Sequence, residues 1–402
     1  MPDKATFRGP AIPLARWAVR KIGELARTTG SARIAALGGA TLMGERAALG
    51  GFVITGKVSA GPGSSRLYRT RDGHWFALTI PRPDDRALLP ALFGDEAIDT
   101  GDNEAIAHAV AGQECATLLE TGRLLGLPVA AAHEIPVAAP AEILVTGPVR
   151  QREPGHRPLV IDLSAIWAGP LIGHLLWLAG AEVVKVESRD RPDELRDFDP
   201  GIFALLNQGK ANVALNLKDE AEREALIALI RKADFIIESS RPRALRQLGI
   251  DAGSIVRETP GLVWLSVTGH GAQGETANWT GIGHECGVAG GLSRALAEVT
   301  GEIGYVGDAI ADPLTGIFGA LEGWRAYASG KSCRIGLSLS SIVALALREE
   351  RTHDLPQLTA ELAAWAKAIG QPFPAVERRP VIGEVRHPGA DTEEWLALKP
   401  TC

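Results

Sequence analysis

The segment 307–324, GDAIADPLTGIFGALEGW, places two aspartates four positions apart in front of a glycine-rich apolar stretch. The second, Asp312, is followed by proline, and its position could support chemistry. It could cap the next helix, because aspartate before a proline at the first helical position is a favoured helix start. It could instead be a nucleophile, since an aspartate of ordinary pKa is ionised at neutral pH and needs no base. We interpret Asp308, four residues earlier, as a turn or capping residue.

The elements that must position Asp312 follow a regular rhythm from residue 159 onward. Buried strand-like runs alternate with helical stretches, beginning with PLVIDLS, GPLIGHLLWLAG, AEVVKVES, ANVALNL, DEAEREALIALIRKA, DFIIES and LVWLSVTG. This alternation predicts βαβ units and a doubly wound, mostly parallel sheet, an α/β fold. Ligands of such sheets bind outside the carboxyl ends of the strands, so we expect the site after VIDLS, VKVES, FIIES and LSVTG.

The composition along the chain divides it into five parts. We predict an N-terminal helical segment (1–50), a small α/β domain (51–147), a polar linker (148–158), a large α/β domain (159–345) and a C-terminal helix and tail (346–402). In the small domain, RLYRTRDGHWFALTI alternates around an Asp-Gly turn and predicts a hairpin. In the first segment, apolar residues at helical spacing predict an amphipathic helix docked on this chain or on a partner: Ile12, Leu14, Trp17, Ala18, Ile22 and Leu25.

Charge and cysteine usage exclude several functions. The net charge of −6 argues against non-specific binding to nucleic acid, and no apolar run is long enough to span a membrane. The four cysteines lie far apart, which indicates neither a disulfide framework nor a metal site and favours a cytoplasmic location. GHGAQG, residues 269–274, satisfies a dinucleotide-binding pattern, but ETANWTGIG follows it and does not read as the required helix.

Several of these blocks, taken in order, resemble CoA-transferase family III, a family that includes the α-methylacyl-CoA racemases. The resemblance rests on VIDLSAIWAGPLIGHLLWLAGAEVVKVES, LLNQGKANVALNLKDEAEREAL, ADFIIESSRPRALRQLGI, PGLVWLSVTGHGAQG and ADPLTG, and it covers roughly residues 158–340. In the family the small domain follows the core of the large one, whereas here the similar segment comes first, so the chain looks permuted. The tail RRPVIGEVRHPGADTEEWLAL resembles the family's closing segment, which returns to the large domain.

The resemblance implies a function and a nucleophile. Asp312 matches the nucleophilic aspartate of the family, which implies transfer of CoA from an acyl-CoA to a carboxylic acid through an aspartyl intermediate. Coenzyme A is then a substrate, with no permanently bound cofactor. The resemblance also implies an interlocked homodimer. Two alternatives remain open, namely a racemase or epimerase, and a non-catalytic CoA-binding subunit.

Further catalytic candidates come from the same resemblance. His284-Glu285 falls where racemase relatives carry His-Asp, and a histidine there could exchange a proton with the α-carbon of an acyl-CoA. The alternative for His284 is a helix cap or a packed interface. Gly61 and Gly63 lie where transferase relatives carry a mobile loop that closes over the site, although an ordinary hairpin-entry loop reads the same way.

The expected CoA-binding residues lie near the strand ends of the large domain. They are Ile166, Trp167, Ala168, Ser188, Leu215, Lys218, Ser239, Ser240 and Arg246. Ser239-Ser240 replaces an Asn-Phe pair found in many relatives. Lys185, Arg189 and Arg241 are further candidates for the phosphates, which need basic groups. His174, on the first helix of the large domain, is predicted to be a core histidine with its hydrogen bonds satisfied.

Overall fold

The structure of this chain is a computed structural model that describes residues 9–240 and 242–396, without the side chains of 242 and 243. Its strands are β1 (Ser65–Arg69), β2 (Trp75–Thr79), β3 (Val129–Ala131), β4 (Ala141–Gly147), β5 (Leu159–Asp162), β6 (Glu182–Ser188), β7 (Ala211–Leu215), β8 (Phe235–Glu238), β9 (Val263–Thr268) and β10 (Ser332–Ser338). Its helices up to β6 are α1 (Ala15–Thr29), α2 (Ala32–Ala35), α3 (Gly39–Gly50), α4 (Pro83–Arg86), α5 (Leu89–Phe93), α6 (Asn103–Ala111), α7 (Cys115–Leu125) and α8 (Ala168–Leu178). The later helices are α9 (Leu195–Phe198), α10 (Pro200–Asn207), α11 (Glu220–Ile230), α12 (Pro242–Gln247), α13 (Ala252–Glu258), α14 (Gly283–Ala289), α15 (Leu292–Thr300), α16 (Ala311–Ala328), α17 (Leu339–Lys367) and α18 (Thr392–Leu396).

Seven strands of the described chain form one sheet in the order β4-β10-β9-β8-β5-β6-β7. All neighbours are parallel except β4, which runs antiparallel to β10 at one edge. The predicted mostly parallel α/β sheet is therefore confirmed. Strand β4 joins this larger sheet although it falls within the 51–147 segment. From β5 the chain proceeds outward through β6 and β7 and then returns to place β8 on the other side, which creates a switch point between β5 and β8.

The parallel strands are buried on both faces because helices cover each side of the sheet. Successive residues alternate between the two cores, as the period of two in a strand requires. Val160 packs with α8 and α16 on one face. Its neighbour Ile161 packs with α11 and α13 on the other. Near-continuous apolar runs in the sequence follow from this double coverage.

The smaller sheet has the order β1-β2-β3 and is antiparallel. The hairpin predicted around Asp72-Gly73 is confirmed, with Gly73 at φ 77°, a conformation that favours glycine. One face of the sheet packs on α6 and α7 through Phe76 and Val129. The other face packs on α14 through Ala77 and Ala130, which joins this sheet to the larger one.

The N-terminal amphipathic helix docks on this chain, which is one of the two alternatives that the sequence predicted. Trp17, Ala18, Ile22 and Leu25 of α1 are buried. The Trp17 ring lies 6.1 Å from that of Phe318 on α16. Helix α16 carries Asp312 in its first turn, so α1 supports the element that bears the candidate nucleophile.

A buried ion pair braces the start of α8 against β5. Lys210 Nζ lies 2.8 Å from Asp162 Oδ2 and donates to Pro170 O and Asn207 Oδ1. Both side chains are buried, and burial lowers the pKa of Lys210 to about 8 while the attraction of Asp162 opposes that shift.

We expect Lys210→Met to destabilise the protein strongly, because it leaves the Asp162 carboxylate buried and unpaired. Breaking a buried pair in this way costs about 3–5 kcal/mol of unfolding free energy. Urea unfolding measures the loss. Lys218→Met is the matched control, since Lys218 pairs with Asp190 at an exposed site and its removal should leave stability unchanged. Equal effects of the two substitutions would contradict the assignment.

Candidate active site

A cavity of about 480 Å³ lies at the carboxyl ends of the central strands, at the β5–β8 switch point. Ala165 and Ile166 follow β5, Ser239 and Ser240 follow β8, and Thr268 ends β9; all of them line the cavity. Residues from the small-sheet side of the molecule complete its wall, namely Pro81, Arg82, Asp85, Gly126 and Pro128. The cavity therefore lies where the strand order predicts a ligand.

Asp312 lines this cavity at a point where three helices begin. It is the second residue of α16, and the capping position belongs to Ile310, so Asp312 is not the N-cap. The backbone N–H groups of Ala168 and Gly283, the first residues of α8 and α14, lie beside its carboxylate and favour its ionised form. The carboxylate thus lies beside the first residues of two neighbouring helices and does not occupy the capping position of its own helix. This placement argues against the simple capping interpretation.

Burial changes the acidity of this carboxyl group. Asp312 is only 8% exposed, and burial raises its pKa to about 7 from an ordinary 3.8. Arg46 and the two backbone N–H groups lower the pKa, and Asp308 raises it. The expectation that Asp312 is fully ionised at neutral pH is therefore wrong for the free protein. The physical reason is that the charged form loses its water in the folded state.

Asp308 lies in the bend before α16 and is not its cap, and its carboxylate forms a buried ion pair. Its two carboxylate oxygens accept from Nε and Nη2 of Arg46, a residue of α3, with Nε at 2.8 Å from Oδ2. The Arg46 guanidinium lies 5.0 Å from the centre of the Trp167 ring, at the entrance to α8. A bidentate pair of this kind fixes the guanidinium in one orientation beside the Asp312 segment.

The backbone on both sides of the carboxylate is in an unusual conformation. Ile166, a β-branched residue, has φ 71°, and Ala309 has φ 42°. Such positive values in residues other than glycine cost roughly 1–3 kcal/mol each and occur preferentially at functional sites. Ile166 leads into the N-terminus of α8, and Ala309 leads into that of α16, so both strained residues position a helix end at Asp312.

His284 lies close in sequence to Gly283 but does not line the large cavity. Its ring contacts a separate small cavity, where it meets the ring of Tyr305 edge-on with centroids 6.1 Å apart. Burial lowers the pKa of His284 to about 4. A racemase would need a base that faces the α-carbon of a substrate in the same cavity as Asp312, whereas here His284 and Asp312 line different cavities.

Glu285 has a local structural role. It is fully buried, and it accepts from the backbone N–H of Ile282 in a capping interaction at the start of α14. The Thr79 hydroxyl of β2 donates to its other oxygen at 3.1 Å. Burial raises the pKa of Glu285 to about 8, so it is mostly protonated at neutral pH. It fastens the small sheet to α14 behind the cavity.

One group of side chains in the described residues has the composition of a metal site. Ligand atoms of His270, Glu285 and Cys286 lie within 4.8 Å of one another, and all three residues are buried. Burial lowers the pKa of His270 to about 3 and raises the pKa values of Glu285 and Cys286, so it favours the neutral form of each. The Cys286 thiol already donates to Gly269 O, and we assign no metal here.

Comparison with known proteins matches this part of the chain to one family. A profile described as CoA-transferase family III matches residues 158–366, just over half of the chain, and this range contains the cavity's strand ends and Asp312. The chain belongs to CoA-transferase family III. The family resemblance predicted from the sequence blocks is thereby confirmed.

Individual proteins resemble the chain over about half of its length or less. An acetyl-CoA:oxalate CoA-transferase from Acetobacter aceti is 32% identical over 140 residues, covering 33% of this chain and 36% of that protein. A succinate–glutarate CoA-transferase from Agrobacterium fabrum is 28% identical over 213 residues, covering 49% of this chain and 53% of that protein. A CaiB/BaiF family protein from Brucella suis aligns with a TM-score of 0.46 and 28% identity, over 51% of this chain and 58% of that one. The chain spans about half or less of the length of these curated relatives.

The structure brings some of the residues predicted from the family III resemblance together at the cavity. Ile166, Ala168, Ser239, Ser240 and Asp312 all line it. Trp167 is 2% exposed and lies beneath the Arg46 guanidinium, so it supports the wall without lining it.

Other predicted family III residues lie elsewhere. Leu215 is fully buried in the core on the α11 side of the sheet, and Lys218 is exposed and paired with Asp190. Ser188, Arg246, Gly61 and Gly63 do not line the cavity. A Cβ on Gly61 would lie 2.6 Å from the Phe52 ring. The loop that contains Gly61 therefore packs on Phe52, two residues after the end of α3.

The additional phosphate candidates have other partners. Lys185 is buried and donates to Asp193 and to Ser164 O, both at 2.9 Å, so it is unavailable to a phosphate. Arg189 pairs with Glu222 at 2.9 Å. Arg241 lies outside the described residues. The positive charges of Lys185 and Arg189, which the sequence places near strand ends, are thus already paired with nearby carboxylates.

Sequence reasoning missed three arginines. Arg82 and Arg191 line the cavity and are exposed, which makes them the cationic groups that a phosphate can reach. Arg191 follows the end of β6 by three positions, a signal that could have been used. Arg46 had no such signal, because its α3 segment lies outside the matched family III range.

Proposed function

We propose that this chain transfers CoA from an acyl-CoA to a carboxylic acid, with Asp312 as the nucleophile. The observation that carries the proposal is the buried Asp312 carboxylate at the wall of the switch-point cavity, beside two backbone N–H groups that favour its ionised form. Membership of family III supports the reaction class. The N-termini of α8 and α16 favour negative charge at this point.

The reaction proceeds through covalent aspartyl intermediates. The Asp312 carboxylate attacks the thioester carbonyl carbon, the C–S bond breaks, and a mixed anhydride and CoA thiolate form. The thiolate attacks the aspartyl carbonyl, which releases the first carboxylate and leaves an aspartyl-CoA thioester. The incoming carboxylate attacks that thioester and frees the thiolate again. The thiolate then takes the new acyl group and regenerates Asp312.

The raised pKa of Asp312 suits a nucleophile that works without solvent. A desolvated carboxylate is more reactive than a hydrated one, provided that fixed dipoles replace the lost water. The N–H groups of Ala168 and Gly283 are such dipoles, and they are already in place before substrate binds. The cost is a carboxyl group that is partly protonated near pH 7.

We assign the CoA phosphates to the cavity mouth. Arg82 lies on the small-sheet side and Arg191 on the large-sheet side, so the two cations face the cavity from opposite walls. Arg82 lies 3.7 Å from Glu194 at the surface, and a phosphate can replace this ion pair. The pantetheine arm would then run between Ile166 and Ser240 towards Asp312.

A trapping experiment tests the proposal. The protein is incubated with a panel of acyl-CoA substrates and then treated with hydroxylamine, which converts an activated aspartate to a hydroxamate. We expect mass spectrometry to place this modification on Asp312 only when acyl-CoA is present. Absence of a modified Asp312 with every acyl-CoA would defeat the proposal. Deuterium uptake at the α-carbon in heavy water, without acyl exchange, would indicate epimerisation instead.

Gly283→Ala is expected to lower acyl exchange by about 10- to 100-fold. A Cβ at position 283 would lie 2.0 Å from Asp312 Oδ2 and 2.5 Å from Ala309 O, so the carboxylate must move. Displacement of a reacting group by about 1 Å can cost this much rate. Steady-state measurement of CoA transfer gives the effect.

Gly287→Ala is the matched control on the same helix. Its nearest neighbour would be Ile310 Cγ2 at 3.6 Å, an ordinary contact, and alanine favours a helix by up to about 1 kcal/mol over glycine. We expect this variant to keep full activity. Similar losses in both variants would mean that α14, and not the Asp312 carboxylate, is being disturbed.

The assembly and location of the protein are parts of the same proposal. We propose an interlocked homodimer, as the family resemblance implies, and a cytoplasmic location. Among the helices of the described residues, none is long and apolar enough to cross a membrane. Analytical ultracentrifugation of the purified chain measures its mass in solution, and a monomer would contradict the dimer.

A further inference from the structure

A second cavity, of about 320 Å³, lies apart from the one at Asp312 and shares no lining residue with it. Four parts of the chain form it: the α2–α3 region, the side of α8, Gln208 after α10, and the segment around residues 377–382. Its volume falls at the lower end of the range for sites that bind small molecules. Most of its lining residues lie outside the matched family range.

Two buried side chains that line this cavity each carry a nitrogen without a partner. His174 is 2% exposed, and its Nδ1 has no hydrogen bond within the described residues. The prediction of a satisfied core histidine is therefore wrong, although the residue is buried. Arg379 is 7% exposed; its Nε and Nη2 donate to Glu45, while Nη1 has no partner in the described chain.

Unpaired buried donors are uncommon, and two of them at one cavity indicate a missing acceptor. A buried polar group without a hydrogen bond costs roughly 1–3 kcal/mol, so native structures rarely leave one unexplained. Neither nitrogen has accessible surface in this structure, so a ligand in the cavity reaches them only after the two side chains rotate. The χ2 torsion of histidine is soft, so a small ring rotation can present Nδ1 to a ligand in the cavity.

The charges around the cavity favour an anion. Arg33, Arg378 and Arg379 line it, against the single carboxylate of Glu377, while Glu45 is already held by Arg379. The Arg33 guanidinium stacks on Trp177 at 4.1 Å, which holds it near α8. Apolar side chains form much of the remaining wall, namely Ala36, Leu37, Leu178 and Ile382.

We propose that this second cavity binds a small aliphatic carboxylate. Its two oxygens accept from Nη1 of Arg379 and from Nδ1 of His174 in the tautomer that carries the proton there, and its hydrocarbon chain contacts Leu37, Leu178 and Ile382. Two free donors match the two oxygens of a carboxylate, and the apolar wall matches a short alkyl chain. The site is independent of Asp312 and does not rest on the proposed transferase activity.

Calorimetric titration of the whole chain with hexanoate tests this site, because hexanoate carries both features. Three variants locate the binding. His174→Phe removes the unpaired nitrogen while keeping a ring, Ala36→Trp fills the cavity from its exposed rim, and Ser240→Trp blocks the cavity at Asp312 instead. Hexylamine, with the same chain and the opposite charge, is the ligand control.

We expect saturable hexanoate binding that persists in Ser240→Trp and weakens at least tenfold in His174→Phe and in Ala36→Trp. Hexylamine should not bind. The proposal is overturned if no saturable binding occurs, if hexylamine binds equally well, or if only Ser240→Trp removes binding. Circular dichroism checks the fold of each variant, and His174→Phe decides alone if Ala36→Trp does not fold.

Discussion

Asp312→Asn is expected to lower CoA transfer by at least about a thousandfold, since removal of a covalent nucleophile costs several orders of magnitude in kcat. The substitution keeps the shape of the side chain and removes only its nucleophilic oxygen. Asparagine caps helices as well as aspartate does, so a merely capping role would survive the change. Initial rates of acyl exchange, measured with the substrates that label Asp312, give the result.

Stability measurements separate loss of chemistry from loss of fold in this variant. Burial raises the pKa of Asp312 from 3.8 to about 7, so the unfolded chain releases this proton at lower pH than the folded chain does. The protonated carboxyl group of Asp312 therefore makes its full contribution to the free energy of unfolding below about pH 4, and this contribution is lost as the pH rises through 7. Asparagine has no proton to lose. We expect Asp312→Asn to be at least as stable as the native chain in urea at pH 8, and a marked destabilisation there would contradict the buried, desolvated carboxylate.

The second large effect expected is in the pH dependence of kcat/KM. Since the ionised form of Asp312 attacks, activity should fall on the acidic side with a midpoint near pH 7, the pKa of the free enzyme's carboxyl group. An ordinary aspartate would place that midpoint near 4. A profile that is flat down to pH 5 would show that the carboxylate is hydrated in solution.

Arg46→Met should move this acidic limb upward by roughly one pH unit, because the variant loses the cation that lowers the pKa of Asp312. It also leaves Asp308 buried without its partner, which raises the pKa of Asp312 further. The double variant Arg46→Met/Asp308→Asn removes both charges. Its limb should lie between those of the native and single-variant proteins, and an unmoved limb in all three would remove Arg46 from the site.

The candidate site shows where reasoning from sequence succeeds. The strand-helix rhythm from residue 159 predicted the parallel sheet, and residues after all four predicted strand ends line the cavity. These features follow from local patterns, since periodicity and strand order are written into consecutive residues. Of the residues chosen from the family resemblance after β5 and β8, all but Trp167 line the cavity, whereas those on or after β7 and in α12 do not.

The small-sheet side shows where that reasoning stops. The hairpin at Asp72-Gly73 was predictable because its turn chemistry is local, but its packing on α14 was not. The same holds for β4, which looks like part of the small domain in sequence and pairs with β10 in the large sheet. Pairing between distant segments depends on complementary surfaces that no window of the sequence contains.

The sequence by itself determined the α/β class, the position of the sheet's binding edge and the identity of Asp312 as the carboxylate to examine. Only the tertiary structure decided the acidity of Asp312 and the role of Asp308, because both depend on Arg46, which is 262 positions from Asp308 along the chain. The same is true of the unpaired nitrogens of His174 and Arg379, whose side chains line one cavity only because α8 and the C-terminal segment lie side by side in the fold. Desolvation and charge pairing are set by what surrounds a group in space, and residues far apart in the chain supply most of those surroundings.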